Sequence, residues 1–383
     1  MVGSVSSRKP LVNSHKSAYN LLNHQRSLLL FYSAIKSEKT KSMYERHLDE
    51  FRNYFIIKNY DKLAQIEPKK LQEMIEDFII YHKSKNISAS FIAGKISALK
   101  LFFSMNDVIL NWDKMRKMLP EKTKLTGNFP YTTKQIQTLL KNTGNFEHRA
   151  LIHFMASSGV RSGCFEELKI RDLSEMPNDC KSVKVYADTI HEYFTFIHQE
   201  AVESLEEYLE IRRKKGEKLT GDSWVFCSSL DSKKSLQSTC VTTILSRHVK
   251  NSVGREKSKS GRYSIMACHG FRKRFDTVLK SNRTVNLSLA ERLMGHSKTI
   301  PLDNSYFKPV IEQLFDEYQK AIPQLIIDEK YRLEEELKNK NQRINEIESD
   351  KDRRIDNLEM MIYDLAKRLE NRLNSQVHPL QNQ

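Results

Sequence analysis

Apolar residues recur every three or four positions along most of this chain, and that period restricts it to a mainly helical fold. In KSMYERHLDEFRNYF, Tyr44, Leu48, Phe51 and Phe55 fall on one helical face. Leu71, Ile75 and Phe78 repeat the pattern in the next segment, and Ile92, Ile96, Leu99 and Phe103 in a third. Short stripes of this kind must bury one another, so a helical bundle is expected over residues 26–118. Its exposed faces and turns are expected to carry Lys41, Arg46, Lys69, Lys70, Lys83, Lys85, Lys95 and Lys100. Before it, residues 1–25 are polar and read as a flexible basic arm. After it the periodicity stops in DKMRKMLPEKTKLTG, with Pro120 and Gly127 as breakers, and a linker is expected over 119–129.

Past the linker, YTTKQIQTLLKNT opens a helix with Thr133 as N-cap, and HRALIHFMASSGVRSGCFEELKIRDL continues as helix, turn, helix. SVKVYADTIHEYFTFIH carries two β-rich runs on either side of a polar turn at 187–192, which predicts a hairpin. Helical pattern resumes at EAVESLEEYLEIRRKKG and dominates to about residue 325. The expected fold class is therefore mainly α with a small β-hairpin or sheet (α+β), with a second domain at 130–325. The stretch 326–374 differs in kind. Leu333, Leu337, Ile344 and Ile347 form one heptad block, and Ile355, Leu358, Ile362, Leu365 and Leu369 step by three and four in another. The register jumps by four between them, placing Lys351 at the joint, so a coiled-coil helix with a stutter is expected, followed by a disordered tail over 375–383.

The 63 Lys and Arg against 48 Asp and Glu leave a charge of +15, which favours a polyanionic partner through counterion release. The tail's charges nearly cancel, so the surplus lies upstream. No window approaches eighteen uncharged apolar residues, so no membrane partner and a cytoplasmic location are expected. Five scattered cysteines without a CxxC pair are expected to be free thiols. There is no HExxH, EF-hand or glycine-rich phosphate loop, so no metal or cofactor is expected.

The residues that carry chemistry converge on one anion. HGFR sets His269 and Arg272 within one turn; Arg161 lies in SSGVRSG, His296 in LMGHS, and Tyr306 ten residues later. Guanidinium is not a metal ligand, but two guanidinium forks and two imidazoles match the charge of a pentacoordinate phosphate. A phenol beside such a set can attack phosphorus covalently, provided cations or a base activate a group whose free pKa is about 10. Each residue also has an ordinary reading: Arg161 as a salt-bridged surface arginine, His269 and His296 as satisfied core histidines. Tyr318 in FDEYQK is the rival phenol, but Asp316 and Glu317 beside it oppose a phenolate. From Arg247 to Arg283 there are eleven Lys or Arg against two acidic residues, a patch expected to lie along nucleic acid.

SSGVRSG, HGFRKRF, LMGHS and DNSYFKP, in this order, resemble the boxes of the tyrosine recombinases (phage-type integrases), most closely those of archaeal mobile elements. The resemblance covers about residues 26–325. It implies that Arg161 and Arg272 bind the scissile phosphate, His269 is a proton-transfer partner, His296 donates a hydrogen bond to the phosphate, and Tyr306 is the nucleophile. It also implies a 3′-phosphotyrosyl intermediate formed without metal or ATP, a partner of double-stranded DNA at attachment-type sites, and a tetramer on DNA in the nucleoid. Integration and excision of a mobile element is the expected role. A catalytically inactive architectural protein, a chromosome-dimer resolvase and a one-strand nicking-closing enzyme are the alternatives. The family usually places a lysine in the hairpin turn as acid for the leaving 5′ oxygen; here that slot falls nearest Ile190, leaving Lys184 or His191 for the role.

Overall fold

The computed structural model describes residues 26–121, 129–257, 263–296 and 309–377. The chain divides into two compact units, with the division between Lys124 and Leu125. The arm at 1–25, most of the linker and residues 378–383 lie outside the described residues.

Unit one is helical throughout its described residues: α1 (Arg26–Ser33), α2 (Glu38–Tyr54), α3 (Tyr60–Ala64), α4 (Pro68–Ser84), α5 (Ala89–Met105) and α6 (Trp112–Lys117). Local chemistry sets the starts. Asn59 accepts from the Lys62 N–H, and Pro68 opens α4 where a missing N–H costs nothing, while the Glu67 carboxylate accepts from Lys69 and Lys70. The predicted stripes meet in one core: Leu48 and Phe51 of α2, Leu71, Ile75 and Phe78 of α4, and Ile92, Leu99, Phe102 and Phe103 of α5. Lys95 departs from the expectation of an exposed face. It is 2% exposed and paired with Glu50, with its ammonium 4.9 Å from the centre of the Phe91 ring, because its position on α5 points between α2 and α4. Arg46, Lys69, Lys70, Lys83, Lys85 and Lys100 are exposed as expected.

Unit two begins with α7 (Thr133–Lys141) and α8 (Phe146–Ser158). The cap of α7 is Thr132, one residue before the expected Thr133, because Gln135 reaches back to close a capping box with it. Beyond α8 the chain makes two tight turns where a second helix is expected, then the antiparallel sheet β1 (Leu173–Met176), β2 (Cys180–Val185) and β3 (Tyr193–Ile197). β2 and β3 are the predicted hairpin, with Val185 opposite Tyr193. The rest runs α9 (Gln199–Lys214), a short ribbon of β4 (Cys227–Ser228) and β5 (Asp231–Ser235), α10 (Ser238–Ser252), α11 (His269–Ser281), α12 (Leu287–Leu293), α13 (Ile311–Gln319), α14 (Ile322–Leu325) and α15 (Glu329–Val377).

The three-stranded sheet separates two cores, as alternation along a strand requires. Val183, Val185 and Ile197 face a cluster with Phe154, Phe165 and Phe226, whereas Cys180 and Phe196 face Phe275, Tyr318 and Leu325. All five cysteines are free thiols. Among the described residues no helix is long and apolar enough to cross a membrane.

Candidate active site

α11 starts at His269, so HGFR forms its first turn, and Arg272 points into the unit with 4% exposure. Its guanidinium joins three of the sequence motifs. Nη1 donates to the Gly159 carbonyl at 2.9 Å, where α8 ends; Nη2 donates to the Met294 carbonyl, where α12 ends, and to His296 Nε2 at 3.0 Å. Both ends need glycine. Gly159 and Gly295 have φ of 61° and 62°, and a Cβ on Gly295 would lie 2.5 Å from the Tyr193 ring.

His296 is held from both sides. Because an arginine only donates, Nε2 accepts from Arg272, which leaves the ring proton on Nδ1 for the Glu291 carboxylate at 2.7 Å. Glu291 is 9% exposed and also pairs with Lys280. The spacing from Glu291 to His296 exceeds one helical turn, but the left-handed Gly295 turns the chain back, and the His296 N–H donates to the Glu291 carbonyl at 3.0 Å. This Schellman end brings the two side chains together. Glu291 is a residue that sequence reasoning missed; the glycine after a short helix is the signal that could have found it.

Arg161 stands at the start of the turn after α8 and is exposed, with no side-chain hydrogen bond or ion pair among the described residues. It lines a cleft together with His296, Arg292, Tyr186, Tyr193 and His191. Arg292 is a second residue missed from the sequence. His269 is exposed at the edge of α11, and partial burial, followed by the cations Lys273, Arg272 and Arg161, holds its pKa below the ordinary imidazole value. At neutral pH its ring is therefore uncharged.

The two candidates in the hairpin part company. Lys184 lies 3.2 Å from Glu192 and 3.5 Å from Asp188, and its hydrogen bond to Glu192 leads the effects that raise its pKa. It does not line the cleft, whereas His191 in the turn does. Tyr306 lies outside the described residues. The rival Tyr318 is fully buried: its hydroxyl donates to the Ser157 carbonyl at 3.1 Å, and burial pushes its pKa well up. Burial, rather than its acidic neighbours, removes it as a nucleophile. In the basic patch, Arg272 and Arg274 are each 4% exposed; Arg274 donates to the carbonyls of Gln324 and Leu325, an inward role that the charge count did not indicate.

Residues 131–309 match the phage integrase family. Over 297 residues, 75% of this chain and 88% of the relative, the sequence is 23% identical to the tyrosine recombinase XerC of Leptospira interrogans (serogroup Icterohaemorrhagiae serovar copenhageni). The fold is similar to that of the XerH site-specific recombinase bound to its difH substrate, with TM-score 0.53 and 17% identity, covering 82% of this chain and 88% of that one. It is likewise similar to the Tn1549 transposon integrase in complex with transposon right end DNA, with TM-score 0.52 and 16% identity, covering 78% and 100%. The domain at 131–309 belongs to the phage integrase, or tyrosine recombinase, family, whose reaction is the cleavage and rejoining of DNA strands.

Proposed function

We propose that this chain is a site-specific recombinase that integrates and excises a mobile element by phosphotyrosine chemistry on duplex DNA, working in the nucleoid as a tetramer. The observation that carries the reading is the cleft that gathers Arg161, His296 and His191, with Arg272 bonded to His296 behind it. A scissile phosphate seated there meets Arg161 directly. As it draws an Arg272 N–H to itself, Nε2 of His296 is released from that bond.

In the proposed reaction the Tyr306 oxygen bonds to phosphorus, its proton passes to neutral His269, and the bond from phosphorus to the 5′ oxygen breaks. His191 supplies the proton that the 5′ oxygen needs. The partner strand's 5′ hydroxyl then reverses these steps, and since one phosphodiester replaces another, no ATP is required.

Incubation with nicked candidate attachment-site DNA tests the nucleophile. Wild type is expected to give a denaturant-resistant protein-DNA adduct and Tyr306→Phe none; an adduct in the variant would assign the attack elsewhere. For the acid, His191→Ala is expected to slow cleavage by about 10²–10⁴-fold and to recover on a substrate with a 5′-sulfur leaving group. Failure to recover removes His191 from the role.

The similarity to XerC favours a second reading, a chromosome-dimer resolvase. Recombination between two copies of a resident site, with none between a circle and an attachment site, would select it.

A further inference from the structure

The helix α15 is 49 residues long, about 74 Å at the rise of an α-helix. It is rooted on unit two by its first turns, where the Tyr331 hydroxyl donates to Glu203 and Lys338 Nζ donates to Asn178 at 2.7 Å. From Glu336 to Arg372 every described side chain is exposed. Among them Leu337, Ile344, Ile347, Leu358, Ile362 and Leu365 are between 51% and 65% exposed, all on the two heptad blocks. An isolated helix gains nothing from such a stripe, and a lone one of this length leaves its leucines in water.

The charges flanking the stripe say what covers it. With Leu337, Ile344 and Ile355 at position a, the e positions hold Glu334, Asn341, Glu348, Glu359 and Ala366, with no base among them. The bases Arg343, Arg354 and Arg368 all stand at g. An antiparallel pair sets e against e, where this sequence offers only acidic or neutral contacts, and g against g, where Arg343, Arg354 and Arg368 have only the acids Glu336 and Asp350 to meet. A parallel pair sets g against the e five residues on in the partner, giving Arg343 with Glu348, Arg354 with Glu359, and the apolar Met361 with Ala366. Lys351 at the stutter is a core position that meets its own copy, and Asp350 at the neighbouring g of the partner lies beside it. A single lysine there fixes register at a cost in stability.

We infer that α15 pairs with α15 of a second copy of this chain, parallel and in register, before any DNA is bound. The pairing does not depend on the strand-transfer reading, and its test uses no DNA.

The full chain is expected to sediment as a dimer at micromolar concentration, and Leu358→Glu with Leu365→Glu is expected to halve that mass. Since both positions are exposed in the single helix, the double variant leaves the folding of unit two intact, which its thermal transition verifies. In a background with Cys240→Ser and Cys268→Ser, Leu358→Cys is expected to give a disulfide-linked dimer on mild oxidation that reductant reverses. A monomeric wild type overturns the proposal. So does a dimer whose Leu358→Cys form fails to cross-link, since antiparallel helices hold position 358 of the two copies apart.

Discussion

Arg272 and His269 share one helical turn yet do different work, and the difference is burial. Arg272 is enclosed by the carbonyls of Gly159 and Met294 and by His296, so its position is set by the fold before any substrate arrives. His269 is the exposed first residue of α11, where partial burial and three cations hold its pKa below the ordinary imidazole value. Of those cations Lys273 is the strongest, and it belongs to no site assignment. In Lys273→Gln the pKa of His269 is expected to rise toward the ordinary imidazole value. If neutral His269 accepts the nucleophile's proton, the acid limb of the single-turnover cleavage profile moves to higher pH. The variant then loses rate near pH 6 and matches wild type near pH 8 at saturating DNA. A limb that stays in place would show that another group takes the proton. At this scale the candidates Arg161, His269, Arg272 and His296 are legible in the sequence, because each sits in a short motif of distinct chemistry. Glu291 is not, since its reach to His296 exists only through the left-handed turn at Gly295, and a side chain's reach is not written in linear spacing.

The elements were legible where their period was strong and hidden where a few residues had to decide. The hairpin of β2 and β3 shows in its β-rich runs, but β1 has only four residues and lies under IRDLSEM, whose pattern fits a helix equally well. Its strand state comes from pairing Leu173 with Val183, a tertiary contact. The same holds for the root of α15. Glu200 on α9 is 3% exposed, and its two carboxylate oxygens accept from the N–H groups of Ile327 and Asp328 at 2.9 and 2.8 Å, just before the long helix begins. Burial raises its pKa to about 7 against the pull of those two donors. Glu200→Gln turns an amide NH₂ toward one of the N–H groups and leaves that donor unsatisfied. The expected cost is about 1–3 kcal/mol in the thermal or denaturant unfolding of unit two, with faster amide exchange at residues 327 and 328. Unchanged exchange there would show that α14 and Tyr331 fix the root without Glu200.

The whole molecule separates its charge from its self-association surface. The tail from 328 to 373 carries thirteen acidic and eleven basic residues, so the chain's +15 becomes +17 once that span is set aside. Duplex binding should therefore depend on salt through the residues upstream of the tail, with log K falling against log salt by about 0.9 for each phosphate neutralised. The tail acts on a different quantity. Two chains already joined at α15 meet a duplex with two half-sites as one bivalent ligand, and the second half-site is filled at an effective concentration rather than from solution. Titration of one half-site against two separates these effects. For wild type the two-half-site duplex is expected to bind about 10²–10⁴-fold tighter than a single half-site, with a salt slope roughly doubled. Leu358→Glu with Leu365→Glu is expected to keep the single-site affinity and slope, because it alters no group upstream of α15, and to lose most of the two-site gain. If the double variant retained that gain, cooperativity would have to come from contacts between the units on DNA, and the tail's pairing would not contribute to binding.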